Sequence, residues 1–231
     1  MSSLSTTSPS HGLFRGAVLV FAFILACQAI WLITAESFRP SSPDFPGNVQ
    51  AAAAAAANRN AAASTASFGL IRGDLWAEYA LTYSDILLGD ERTSAQTAEV
   101  IERAREVADR ALGLAPHDAR IWLLLAGIDA RLDWLNGKSS TELRMSYYIG
   151  ANETELIPSR LALAINSSEI GDHDFQQLVR HDIRIIVTRK PELIPAILAA
   201  YRDALPKGQE FLQTTLKEVD PTLLAKLRSN E

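Results

Sequence analysis

A chain of 231 residues, 48% hydrophobic and 21% charged, has room for a membrane segment plus one domain of ordinary size, and its composition argues against wholesale disorder. All 27 acidic residues and all but one of the 22 basic residues follow Ala35, so this larger part is acidic and lacks the basic excess with which nucleic-acid binders neutralise phosphates. The single cysteine, Cys27, excludes an intrachain disulfide and a cysteine-based zinc site.

Residues 1–12 begin "MSSLSTTSPSH", polar and uncharged as far as the histidine, and are expected to form a disordered tail. Residues 13–35 are expected to be a transmembrane signal anchor. Their core, "GAVLVFAFILACQAIWLITA" from Gly16 to Ala35, holds 20 residues without a charge. At about 1.5 Å rise per residue it spans roughly 30 Å, the thickness of a hydrocarbon core, so residues 16–35 are the expected contact with the lipid bilayer. A cleaved signal peptide has an apolar region of about 7–15 residues before a small-residue site. The length therefore favours an uncleaved anchor, with Ile33-Thr34-Ala35 keeping the cleaved alternative open. "ILAC" at 24–27 is similar to a bacterial lipoprotein signal, but the chain stays apolar after Cys27, where a lipidated mature protein turns polar. Arg15 before the segment and Arg39 after it give little charge bias. A short leading tail and a large following domain fit a single-pass protein of a bacterial inner membrane, its C-terminal domain in the periplasm.

Residues 36–67 read as a linker. "ESFRPSSPDFPGNVQ" carries three prolines, and "AAAAAAANRNAAASTAS" is low-complexity. Alanine favours helix, but the segment has almost no large apolar side chain to bury, so a disordered, semi-flexible tether is expected.

Over 68–231 the apolar spacing is helical, and the domain is expected to be all-α. The pattern predicts helices over 70–88, 95–114, 118–136, 140–149, 153–166, 173–188, 191–204, 207–218 and 221–228. "IRIIVTR" at 183–189 is the one strand-like run; Phe175, Val179, Ile183 and Ile186 follow spacings of four, four and three, which places it in a helix.

The stretch "ALGLAPHDARIWLLLAGIDARL" from Ala111 to Leu132 joins two helices. Pro116 cannot continue the first, and Asp118 is suited to cap the second. Ala104, Ala108 and Ala111 form a stripe of small side chains before the turn, and Trp122, Leu125 and Ala126 share a face after it. These residues resemble the junction of two tetratricopeptide repeats, in which small residues on one helix admit a neighbour closely and large ones fill the groove. "DLWAEYALTY" extends the resemblance, with Trp76, Tyr79, Ala80 and Tyr83 at first-helix positions of an earlier repeat, although about a dozen extra residues around "LGDERTSAQTAE" precede Ala104. Leu161, Ala162 and Ile165 follow Leu125, Ala126 and Asp129 by 36 residues; Pro158 stands in the place of Trp122, and "KSSTELRMSYY" lacks the small stripe, so this repeat is degenerate. The resemblance implies an antiparallel helical array. The helices after residue 190, several started by proline, suit a C-terminal cap. The anchor, linker, array and "SYYIGANETELIP" together also look like small alphaproteobacterial envelope proteins associated with surface polysaccharide production.

His117-Asp118, His173-Asp174 and His181-Asp182 raise the question of a His-Asp phosphohydrolase, named for that dipeptide. On one helix His173 and His181 are separated by about 12 Å along the axis and about 80° in direction, so they cannot easily share an ion; capping aspartates with solvated histidine neighbours are the better reading. No phosphate-cradling glycine loop or GxSxG is present. No catalytic, metal or cofactor site is therefore expected, and none of the chemistry points to an enzyme. Arg180, Arg184, Arg189 and Lys190 read as a solvated face near Asp182 and Glu192, Tyr147 and Tyr148 as packing residues, and the sequons at 152 and 166 as chance matches. The expected function is a membrane-anchored adaptor that holds an envelope protein partner, with Tyr83, Asp129, Arg131 and Asp133 as candidate contacts on first helices lining a groove. The alternatives are a structural subunit of a polysaccharide polymerisation or export complex and, least, the phosphohydrolase.

Overall fold

The structure, a computed structural model, describes residues 9–37, 45–88, 95–133 and 138–229. It divides into two compact units, Met1–Arg39 and Pro40–Glu231.

The first unit is one helix, α1 (Pro9–Ser37), of 29 residues. Within it Gly12–Thr34 is long and apolar enough to cross a membrane. Most of its described side chains are exposed, Leu19 at 71% and Phe23 at 70%. Near its end the hydroxyls of Thr34 and Ser37 donate to the carbonyls of Ile30 and Ile33 at 2.7 and 2.8 Å, so their polarity is met within the helix. The helix begins at Pro9, so the last four residues of the expected disordered tail, 9–12, are helical; residues 1–8 lie outside the described residues.

The second unit is helical throughout, with no strand among the described residues. In chain order its helices are α2 (Val49–Ala57), α3 (Arg59–Phe68), α4 (Gly73–Leu81), α5 (Asp85–Leu88), α6 (Ala95–Leu114), α7 (Ala119–Asp133), α8 (Lys138–Ile149), α9 (Ile157–Asn166), α10 (His173–Arg189), α11 (Ile194–Asp203), α12 (Pro206–Val219) and α13 (Pro221–Ser229). "IRIIVTR" belongs to α10, with Ile183, Ile185 and Ile186 buried. The helix expected over 70–88 is two helices, broken where the Thr82 hydroxyl donates to the Tyr79 carbonyl at 2.7 Å. That local bond competes with the helical ladder.

The middle of the unit is built from antiparallel pairs. Gly73 at the start of α4 meets Leu114 and Ala115 at the end of α6, while Trp76 lies under Arg110, 4.2 Å from guanidinium to ring centre. The Ser146 hydroxyl of α8 donates to the Ala119 carbonyl of α7 at 3.0 Å, and Ser139 to Ala126 at 2.9 Å; residue number rises along one helix as it falls along the other. Helix α7 is the centre. Ile121, Leu123, Leu124, Leu125, Ala126 and Ile128 are all at most 1% exposed, which no single-faced amphipathic helix shows. Close packing around it needs small side chains. Ala104, Ala108 and Ala111 of α6 are fully buried, and a Cβ on Gly127 would fall 1.9 Å from a Leu87 methyl.

The expected disordered linker departs most from the structure. Residues 38–44 lie outside the described residues, but 45–67 are mostly helical and packed: Phe45 is 4% exposed, and Ala52, Ala62 and Ala66 at most 1%. The expectation considered only large apolar side chains. Small ones let α3 lie directly on α4 and α2 on α5. Asn48 caps α2, its side chain accepting from Ala51 N–H at 2.8 Å.

Helices α9 to α13 complete the unit. Prolines stand in the first turns of α9, α11 and α12, where a missing N–H costs nothing. Helix α12 approaches the end of α9 so closely that a Cβ on Gly208 would sit 2.3 Å from the Ile165 carbonyl oxygen. There Asn166 accepts from Leu205 N–H at 3.0 Å, and Phe211, Leu212 and Leu216 are buried.

Replacing Ala108 with leucine is expected to lower unfolding stability by about 1–3 kcal/mol through overpacking. The same change at the exposed Ala98 should stay within about 0.5 kcal/mol. Urea unfolding of the two variants checks this, and equal effects would show that the stripe is not closely packed.

Candidate functional site

Antiparallel pairing with short turns brings the starts of α4 and α7 to one edge of the unit, beside the end of α6 and the turn after α8. There Gly73, Asp74, Leu114, Ala115, His117, Asp118, Arg120, Glu153 and Glu155 line an open cleft of about 650 Å³. Its shape follows from its turns. Asp118 caps α7, accepting from Arg120 N–H at 3.0 Å, and holds the Arg120 guanidinium at 2.6 Å. That hydrogen bond raises the Arg120 pKa against the effect of burial, so the group stays cationic. Asp74 is paired with Arg72 at 2.5 Å. Glu153, Glu155 and His117 are exposed. With Asp74 and Asp118 paired to Arg72 and Arg120, the exposed carboxylates of Glu153 and Glu155 suit the cleft to cationic groups and hydrogen-bond donors.

Residues expected to form the repeat junction are placed as follows. Ala104, Ala108, Ala111, Leu125 and Ala126 are at most 1% exposed, and Trp76 is 8% exposed. Pro116 sits exposed in the turn. Trp122 is different. It is half-buried, and its indole N–H donates to the Pro116 carbonyl at 2.8 Å, so it braces the turn while Ile121 and Leu125 take the deep positions.

The candidate partner contacts do not form one open face. Tyr83 is 4% exposed. The Arg59 guanidinium covers its ring at 4.0 Å, its hydroxyl shares a 3.2 Å hydrogen bond with Tyr79, and burial pushes the phenol up to about 12. Asp129 is 3% exposed and paired with both terminal nitrogens of Arg105, tying α7 to α6. Both are internal contacts, against the expectation that they line a groove. Arg131 is exposed, 3.5 Å from the Leu87 carbonyl. The Asp133 side chain lies outside the described residues.

The histidine-aspartate pairs are not brought together. His173 and His181 are exposed on α10 and His117 is exposed at the cleft; no group of three or more His, Cys, Asp or Glu side chains among the described residues is arranged to hold a metal ion.

The sequence reading missed a buried charge cluster. Arg160 of α9 is fully buried and donates to the Ser146 hydroxyl at 3.0 Å, the Ser146 carbonyl at 2.6 Å and the Gly150 carbonyl at 2.9 Å. It therefore satisfies carbonyls at the end of α8, the negative end of that helix. Asp182 of α10 and Tyr147 of α8 are buried beside it. Burial pushes the Asp182 carboxyl up to about 7, opposed by the Arg160 charge, and raises Tyr147 as well. The tyrosine hydroxyl lies by Asp182 without a hydrogen bond of good geometry. One signal was available: Asp182 falls seven residues after Phe175, on the buried face of α10.

Because folding raises the Asp182 pKa, the stability present with a neutral carboxyl is expected to fall as pH rises from about 4 through 7, by roughly 2–4 kcal/mol. Asp182→Asn keeps the neutral form's shape. Its stability relative to wild type should therefore increase between pH 5 and pH 8 in urea titrations; parallel stability curves for the two proteins would refute the shift.

No protein-family model, curated protein or solved structure matches the chain.

Proposed function

We propose that this protein is a membrane-anchored, tetratricopeptide-like adaptor that holds a protein partner in the cell envelope, with its domain on the periplasmic side of a bacterial inner membrane. The carrying observation is an open, acidic cleft at the junction of antiparallel helix pairs, in a chain whose N-terminal helix is apolar enough to anchor it. The fully buried stripe of Ala104, Ala108 and Ala111 and the antiparallel order of α4 and α6, and of α7 and α8, support the repeat reading; the half-buried Trp122 is its main departure. The cleft replaces the first-helix groove as the contact surface, since Tyr83 and Asp129 are occupied internally. Its carboxylates select partners that present lysine or arginine, and such pairing governs encounter and specificity more than raw affinity.

A photo-crosslinking residue in place of the exposed cleft residue His117 is expected to trap an envelope protein in cells, and the double change Glu153→Lys, Glu155→Lys to reduce that adduct about tenfold. Adducts unaffected by the charge reversal, or found only from probes away from the cleft, would count against this site. An alkaline phosphatase fused after Glu231 should be active; activity of a cytosol-dependent reporter there would reverse the topology.

A further inference from the structure

The alanine-rich segment is docked, but by a small set of contacts. Helices α2 and α3 bury three alanines, Ala52, Ala62 and Ala66, with Thr65 and the preceding Phe45. One charged side chain secures them to the domain. Arg59, the first residue of α3, donates through Nη2 to the Thr82 carbonyl at 2.7 Å and to Asp85 at 2.9 Å, while its guanidinium lies 4.0 Å above the Tyr83 ring. Thr82 and Tyr83 lie in the break between α4 and α5, and Asp85 is the first residue of α5. The latch is imperfect, because Arg59 Nε is buried without a hydrogen-bond partner. Alanine runs keep their helical preference off the domain as well as on it, so release does not oppose a strong local preference.

The segment's place in the chain gives release a consequence. With α2 and α3 docked, only residues 38–44 connect α1 to the domain, and covalent geometry limits that connection to about 29 Å. With them released, residues 38–72 connect α1 to α4, and even with both alanine-rich segments still helical the limit is about 90 Å.

We infer that α2 and α3 are a stowed tether: a strap that undocks from α4 and α5 as a unit, leaving the rest of the domain folded, and so sets how far the domain reaches from its membrane anchor. Arg59 is the latch. Undocking also removes the Arg59 guanidinium that covers the Tyr83 ring. The significance for reach rests on the membrane-anchor reading above, whereas the undocking itself does not.

Hydrogen exchange of the full chain in lipid nanodiscs tests the undocking. Amides of 49–68 are expected to exchange at least about tenfold faster than those of α6 and α7, and Arg59→Ala to accelerate 49–68 by a further tenfold or more with α6 and α7 unchanged. Protection of 49–68 equal to that of α6 and α7 in the wild type overturns the inference. So does Arg59→Ala leaving 49–68 unchanged, or removing protection from the whole domain. Reach is read separately, by the distance distribution between spin labels on the native Cys27 and on Glu99→Cys. In Arg59→Ala it should gain a longer population, and an unchanged distribution overturns the role in reach. Quenching of a probe on Cys27 by lipids labelled deep in the bilayer reports on the anchor, so failure of that reading is recognised independently.

Discussion

Helix α7 cannot exist as it is unless its neighbours stay close on every side. Six of its apolar residues between Ile121 and Ile128 are at most 1% exposed, and a helix apolar around most of its girth is stable only when neighbours cover it. Two features of other segments meet that need. The alanine stripe of α6 lets one helix settle at short range, and Gly127 removes the side chain that would meet Leu87 of α5. Hydroxyls of α8 then bind the carbonyls of Ala119 and Ala126, fixing the antiparallel register that side-chain size alone leaves loose.

Charges are used inside the unit in two ways. Arg105 and Asp129 are a matched pair between α6 and α7, with both carboxylate oxygens bound. Arg160 serves mainly as a hydrogen-bond donor to helix-end carbonyls, and its neighbour Asp182 is left in an environment that favours the neutral form. A buried carboxyl that is only partly compensated is a cost to stability, and here it makes the contact among α8, α9 and α10 sensitive to pH. Glu153 and Glu155 at the cleft, by contrast, are exposed to solvent.

The alanine-rich segment lies between the apolar first helix and the rest of the domain. Its composition is that of a linker, its placement is that of part of a domain, and the two descriptions are compatible because alanine methyl groups bury without holding tightly. A chain that packs through methyl groups, Phe45 and one guanidinium has few contacts to lose on release, whereas α6 and α7 are held by close packing of the alanine-striped α6 and by the Arg105–Asp129 ion pair.

The sequence by itself determined the class of the fold and a first helix of membrane-spanning length. Twenty uncharged residues from Gly16 to Ala35 imply a spanning length, and apolar spacings of three and four imply helices, both being local properties of the chain. The turn at Pro116 and Asp118 was legible for the same reason. Only the tertiary structure decided which faces are covered. Tyr83 and Asp129 look like surface residues of amphipathic helices until Arg59 and Arg105, 24 residues away in each case, close over them. The cleft likewise gathers Asp74, Asp118 and Glu153 from three separate turns. Burial, ion pairing and cleft formation depend on distances between segments remote in sequence, and no local pattern encodes those distances.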